Sequence, residues 1–512
     1  MEAAQASEIG LDEIKAAERL AGIELSDAER KAILKDVQDF RKGYEAIRKE
    51  PIRDGITPVP LHFQTLAGGS TERRTDVRTS AIPKGDSEIA FRSVRALAAM
   101  LARKEISSQE LTELALARLK RYGPQLACVV SLTEERARTA ASRADEERGK
   151  GRVRSPLHGI PYGLKDLFSV RGTRTTWGAG PFVDQTFDSD ATVVERLDAA
   201  GAILVAKTTS GALALGDVWF GGVTKNPWNP KQGSSGSSAG SAAAVSAGLV
   251  PFAIGTETLG SIMSPSVRCR VTGLRPTFGR VSRYGAMELS YSMDKVGPIV
   301  RDVEDAALVL AAIHGADSHD PAAVDRPFRY RSLRNLRGVK IGYAKGKRDA
   351  FVDALAKLGA EVREVAFTPV TQGITAVLEV ECGSAFDALT RDSGRIALLK
   401  DSPWPDTFRA ARTVPAVEYL QAMRARHLLM NRFEAEFGDL DAYVSPGISD
   451  TIVHTNLTGH PQVALPQGDD GKGNSVARSL TGRLFEEGRL LAIARLAQES
   501  GDFHRRTPPG FA

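Results

Sequence analysis

Cysteine is nearly absent from this 512-residue chain. The three thiols, Cys128, Cys269 and Cys382, stand far apart and in no metal-ligand spacing, which excludes a disulfide framework and a zinc cluster and leaves packed, reduced residues. Long apolar runs are missing too: none approaches the roughly 18 residues of a membrane span. The N-terminus, MEAAQASEIGLDEIK, lacks the basic and apolar segments of a secretory signal. As it stands, the chain reads as cytoplasmic. Its 68 Lys+Arg and 63 Asp+Glu give a net charge of +5, but the signs are mixed and no basic block appears, so a nucleic-acid partner is not expected. Only eight histidines occur, and none joins a Ser-His-Asp set around a G-x-S-x-G turn. His158, in LHGIP, reads as a packing or hydrogen-bonding residue.

What the chain does contain is the pattern of a soluble α/β protein, with 42% hydrophobic and 26% charged residues. Residues 11–47 read as two amphipathic helices separated by an N-cap at Ser26 and Asp27, since Ile33, Leu34, Val37 and Phe40 recur at helical spacing. Composition then shifts to Pro, Gly, Thr and Arg, which predicts an extended arm. The expected division is a helical extension over 1–50, an arm or linker over 51–89, and one large domain over 90–512. That domain opens with two helices, the second capped by Ser107 or Ser108. From Pro156 short apolar strands alternate with helices, among them GIPYGL, AILVAKT and PFAIGT, with a βαβ pattern over 339–367. A large mixed or mostly parallel sheet covered by helices is therefore expected. No repeat of fixed period appears.

Three polar positions stand in apolar or small-residue surroundings. Lys165 ends the predicted strand GIPYGL; beside Asp166 it reads, taken alone, as a surface ion pair, whereas a desolvated lysine would be a neutral base. Ser237 lies in the run Gly236-Ser237-Ser238-Ala239-Gly240. A flexible linker has that composition, but a linker is not usually continued by an alanine-rich helix and then a buried strand. Ser261 follows Gly260, and glycine lets the backbone turn so that successive N–H groups point at one carbonyl oxygen.

Together these segments resemble the amidase signature family. The matching stretches are HGIPYGLKDLF at 158–168, NPWNP at 226–230, GSSAGSAAAVSAGLVPFAIGTETLGSI at 236–262, TGLRPTFGRVSRYG at 272–285, NLTGHPQVALP at 456–466 and the closing SLTGRLFEEGRLLAIA. Ser237 and Ser261 also have the family's separation. The resemblance implies the amidase-signature fold, helices on both faces of a large mixed sheet, preceded here by the N-terminal helical extension. It implies a Ser-cis-Ser-Lys triad: Ser261 as nucleophile, Ser237 as bridging serine after a cis peptide from Gly236, and Lys165 as base. The backbone N–H groups of Thr258, Leu259, Gly260 and Ser261 would form the oxyanion hole, with Ser238 in support. No metal or organic cofactor is implied, the substrate would be a small amide, and a homodimer would suit the family.

Two departures carry weight. The family usually has Gly-Gly-Ser-Ile-Arg at the nucleophile, whereas this chain reads Leu259-Gly260-Ser261-Ile262-Met263. Glu257, standing where the family commonly has Asp, thereby loses its usual partner, and Arg268 or Arg270 is the expected substitute. The family's Asn and acidic residues after the Lys-Thr strand end are also absent from KTTSGALALGD at 207–217. That absence and the added N-terminal segment fit a stand-alone amidase acting on a carboxamide or acyl/aryl amide. The glutaminase component of a tRNA-dependent amidotransferase is the alternative, and a catalytically silent binding protein of the same fold is a third. Trp177, Trp219 and Trp404 are expected in the core more than in a pocket.

Overall fold

The computed structural model describes residues 9–52, 56–58 and 85–512, so most of the expected arm at 51–89 lies outside the described residues. Its last residues begin a short helix, Asp86–Ala90. By contact the chain groups into two units. One comprises Met1–His62, Glu288–Met293 and Phe367–Gly438; the other comprises Phe63–Met287, Asp294–Ala366 and Asp439–Ala512. This grouping joins the N-terminal helices to a segment from within 90–512.

The first unit is helical. Its helices α1 (Leu11–Ala21) and α2 (Asp27–Ile47) meet through a small core of Ile14, Leu25, Ile33 and Ala410. Ser26 caps α2 as expected: its hydroxyl accepts from the Glu29 N–H while the Glu29 carboxylate accepts from the Ser26 N–H, which satisfies two donors the helix start leaves over. Glu18 is buried and takes hydrogen bonds from Arg30 and the Leu25 N–H. Trp404 is buried against Phe408, a core residue.

The second unit is built on an 11-stranded mixed sheet. In chain order its strands are β1 (Val129–Leu132), β2 (Pro161–Lys165), β3 (Ile203–Thr208), β4 (Phe252–Glu257), β5 (Thr272–Arg275), β6 (Lys295–Val300), β7 (Lys340–Ala344), β8 (Glu361–Val365), β9 (Ala442–Pro446), β10 (Gln462–Asp469) and β11 (Ser475–Gly482). Across the sheet they run β1-β3-β2-β4-β6-β5-β10-β11-β9-β7-β8. The strands β3, β2 and β4 are mutually parallel, as are β9, β7 and β8, while the middle is antiparallel. Alternation along each strand divides the side chains between two cores. Tyr162, Leu164, Leu204, Phe252 and Ile254 enter one; Ile203, Val205, Ala253 and Ile299 enter the other. Both faces therefore need helical cover, as the buried parallel strands anticipated. Residues of Val94–Ala102, Val303–Ile313 and Glu487–Glu499 fill the first core; those of Ser108–Leu126 and of α3 (Ala239–Ser246) fill the second.

Helix α3 follows Ser238 directly, and its residues are all buried. It packs so closely that a Cβ at Gly240 would lie 2.3 Å from the Thr209 nitrogen and 2.4 Å from the Cys128 carbonyl oxygen. Two guanidinium groups hold its far end: Arg118 bonds the Ala247 and Gly248 carbonyls and Arg301 the Ser246 carbonyl, which suits the negative pole of a helix. All three cysteines are buried and unpaired with one another, as expected. No helix among the described residues is long and apolar enough to cross a membrane.

Gly240→Ala is expected to lower the thermal midpoint sharply, since backbone must move to admit the methyl group, at or above the usual overpacking cost of about 1–3 kcal/mol. Gly149→Ala, where a Cβ meets nothing within 4 Å, is expected to leave the midpoint nearly unchanged. Thermal melts of the two variants beside wild type check both.

Candidate active site

Three strand ends and one helix start converge in the second unit. Parallel β2 and β4 are neighbours, so Lys165 at the end of β2 and Thr256 near the end of β4 lie at the same end of the sheet. Lys165 is fully buried, and its side-chain nitrogen lies 2.8 Å from the Ser237 hydroxyl and 2.8 Å from the Thr256 hydroxyl. Burial holds this amine well below the usual lysine range; the negative charges of Asp294 and Glu257 oppose that shift but do not cancel it.

Asp166 is not its partner. The Asp166 carboxylate turns to Lys207, 2.7 Å away and equally buried, and accepts from the Thr176 N–H and hydroxyl. The surface ion pair that Lys165–Asp166 suggested in isolation is therefore absent: the chain turns at Asp166, just past the end of β2, and both side chains are buried with other partners.

The Gly236–Ser237 peptide is cis. The loop leading to it is held from outside: the Asp217 carboxylate accepts from the Ser235 N–H at 2.8 Å, and the Gly211 N–H donates to the Ser237 carbonyl at 3.3 Å. A Cβ at Gly236 would stand 1.8 Å from the Gly216 carbonyl oxygen, so only glycine fits there. Ser238 works in two directions. Its hydroxyl donates to the Thr256 carbonyl and accepts from the Thr256 N–H, at 3.1 and 3.2 Å, while its N–H donates to the Ser261 carbonyl at 3.0 Å. Lys165 and Ser237 are thus joined by side chains, and the Ser237-Ser238 loop and Ser261 by backbone. Among the described residues no hydrogen bond joins the Ser237 and Ser261 hydroxyls.

Ser261 closes the turn between β4 and α4 (Met263–Arg268), and Gly260 takes a φ of 91° there. None of the N–H groups of Thr258, Leu259, Gly260 and Ser261 has a hydrogen-bond partner among the described residues. They form a row of donors available to an oxygen atom. Glu257 fixes this turn from beneath. One carboxylate oxygen accepts from the Ile262 and Met263 N–H groups, and the other from Arg275 and the Asn456 side chain, each at 2.8–2.9 Å. Burial pushes the Glu257 carboxyl up, but Arg275, Asn456 and the Met263 N–H together hold it below the usual carboxylate range.

The partner of Glu257 is thus Arg275, not Arg268 or Arg270 as the sequence suggested. Arg270 bonds Asp469 and lies over Trp228, and Arg268 sits in the last turn of α4. Antiparallel β10 and β6 flank β5 and bring the side chain of Arg275, four residues into TGLRP, to a carboxylate that is 18 positions away in sequence. Thr256, Asp217 and Asn456 were given no role from sequence. A threonine ending the apolar run FAIG was the one available sign of the first. His158 is buried, accepts from the Arg154 N–H and bonds the Ala144 carbonyl, a packing role as read. The described residues contain no cluster of His, Cys, Asp and Glu able to hold a metal ion. Trp177 stands against Phe182 and Phe187, and Trp219 against Phe220.

An amine, two hydroxyl loops and a donor turn are the groups that acyl-transfer chemistry needs. The Amidase family model matches residues 110–491. The chain belongs to this family, the amidase-signature enzymes, which act on C–N bonds. It is 35% identical over 478 residues to the glutamyl-tRNA(Gln) amidotransferase A subunit of Methylococcus capsulatus, covering 81% of this chain and 98% of that protein. The corresponding protein of Pseudomonas syringae pv. syringae is 35% identical over 80% of this chain and 98% of its own length. Among solved structures, the peptide amidase of Stenotrophomonas maltophilia is 30% identical with a TM-score of 0.72, covering 82% of this chain and 98% of its own. An amidase family protein of Bacillus anthracis is 26% identical with a TM-score of 0.74, covering 84% and 95%.

Arg275→Met leaves Glu257 buried without its cation and is expected to cost about 3–5 kcal/mol of stability. Arg270→Met, at a partly exposed pair, is expected to cost about 1 kcal/mol or less. Because the Glu257 carboxyl is depressed in the folded chain, its share of stability is present above the ordinary glutamate pKa and lost as pH falls through the folded value. Urea unfolding of both variants at neutral and acid pH reads the difference, which narrows in acid.

Proposed function

We propose that this chain is an amide hydrolase working through a serine acyl-enzyme. Ser261 attacks the amide carbonyl carbon, forming a C–O bond. Its proton passes to Ser237, whose own proton passes to the neutral amine of Lys165. The carbonyl oxygen becomes an oxyanion among the N–H groups of Thr258, Leu259, Gly260 and Ser261. As the C–N bond breaks, the proton returns along the same path to the leaving nitrogen. Water then repeats the sequence on the acyl-enzyme, releasing the carboxylate.

The observation that carries this reading is the buried Lys165 amine held by the Ser237 hydroxyl, with no carboxylate bonded to it among the described residues. A protonated lysine there would be a poor acceptor; burial favours the unprotonated form by lowering the pKa well below the usual lysine range. The enzyme is expected to be a stand-alone amidase whose substrate is a carboxamide or acyl/aryl amide. In support, the stretch 209–212, whose Gly211 N–H bonds the Ser237 carbonyl, carries no charge with which to bind an amino-acid substrate. The second reading, the glutaminase component of a tRNA-dependent amidotransferase, is favoured by the 35% identity to proteins of that kind.

A library of simple amides and free glutamine, screened with wild type and Ser261→Ala, separates the readings. Turnover of simple amides without turnover of glutamine supports the first, and the reverse supports the second. Ser261→Ala is expected to lose about 10⁴-fold or more in kcat, and Lys165→Met about 10²–10⁴-fold. The wild-type kcat/KM is expected to fall on the acid side, with a midpoint well below the usual lysine range, as Lys165 takes up a proton. A Ser261→Ala protein that keeps its activity ends the proposal.

A further inference from the structure

Asp294 stands at the start of β6, outside every motif that marked the site. The β4–β6 ladder pairs Glu257 with Lys295, so the next pair in that antiparallel register is Thr258 with Asp294. Backbone pairing stops there, and a side-chain bond takes over: the Thr258 hydroxyl donates to an Asp294 carboxylate oxygen at 2.5 Å. Thr258 is buried and is the first of the four residues whose N–H groups line the turn before α4.

Two other acids near Lys165 form ion pairs of their own. Asp166, in the turn that follows β2, faces the buried Lys207 of β3. Glu257, on β4, faces the buried Arg275 of β5. The hydroxyls of Ser238 and Ser241, at the start of α3, donate to the Thr256 and Ile254 carbonyls of β4. Asp294 supplies the largest of the negative fields on the amine.

Resting on the hydrolase reading above, we infer that Asp294 is a positioning residue for that reaction, fixing the oxyanion turn through Thr258. Its negative charge, which opposes the lowering of the Lys165 pKa, adds a separable effect. Fixing the turn requires the hydroxyl bond: without it the Thr258 N–H is free to swing with its side chain, and a donor misaligned by a fraction of an ångström stabilises the oxyanion less. Setting the base requires only the charge, which favours the protonated amine.

The test uses the full chain and a fluorophosphonate probe, which needs the activated Ser261 and the same oxyanion donors but no knowledge of the natural substrate. The second-order rate of Ser261 labelling is followed against pH, normalised to the amount of enzyme that labels at completion. Asp294→Asn is expected to slow labelling at the plateau by about tenfold or more and to move the acid limb to lower pH. Thr258→Val removes the bond and keeps the charge, so it slows the plateau to a similar extent with the limb in place. Thr258→Ser recovers most of what Thr258→Val loses. A role confined to folding would reduce the fraction that labels and leave both the normalised rate and the limb unmoved, which overturns the inference. So does a Thr258→Val limb that shifts with that of Asp294→Asn. If wild-type Ser261 does not label at any pH, the hydrolase reading itself fails, and Asp294 falls with it.

Discussion

The structure of the site depends on the burial of one lysine. Lys165 is inaccessible to solvent and meets two hydroxyl groups instead of a carboxylate. Moving an ammonium ion out of water without a partner is costly enough that the group gives up its proton instead. Because burial lowers the pKa of this amine in the folded chain, folding grows less favourable as pH falls below the ordinary lysine pKa. In the proposed mechanism, that cost is the condition for a base that works without a histidine.

The buried acids on either side of the lysine have counter-ions of their own. Asp166 is taken by Lys207 and Glu257 by Arg275, and both pairs are fully enclosed. Buried pairs of this kind add little net stability, but removing one partner leaves a charge that would act on whatever lies nearby. Glu257 also joins electrostatics to geometry. The carboxylate that Arg275 neutralises holds the first N–H groups of α4, and hence the turn whose remaining donors are unpaired. The family relationship and the geometry therefore meet at the same few residues.

Much of this was legible in the sequence. Alternating apolar strands and helices pointed to the α/β class, and the helices at Leu11–Ala21, Asp27–Ile47 and Ser108–Leu126 fall where their caps and periodicity put them. Lys165, Ser237 and Ser261 stood out because a long motif surrounds them. What the sequence concealed depends on strand order. Arg275 reaches Glu257 because β5 lies on the far side of β6, an arrangement no local pattern encodes, and the nearer Arg270 was the wrong choice for that reason. Asp294 and Thr258 meet only through the register of β4 with β6. The grouping of the N-terminal helices with Phe367–Gly438 is likewise a long-range fact that composition cannot carry.

The protonation state of Lys165 is the most direct test. Titrating the side-chain nitrogens of a ¹⁵N-lysine-labelled sample by NMR, with Lys165→Met to assign the signal, reads it without any substrate. A signal that is lost in the variant and titrates well below the solvent-exposed lysines is the predicted result. A Lys165 nitrogen that stays protonated through neutral pH and titrates with the exposed lysines would contradict the account.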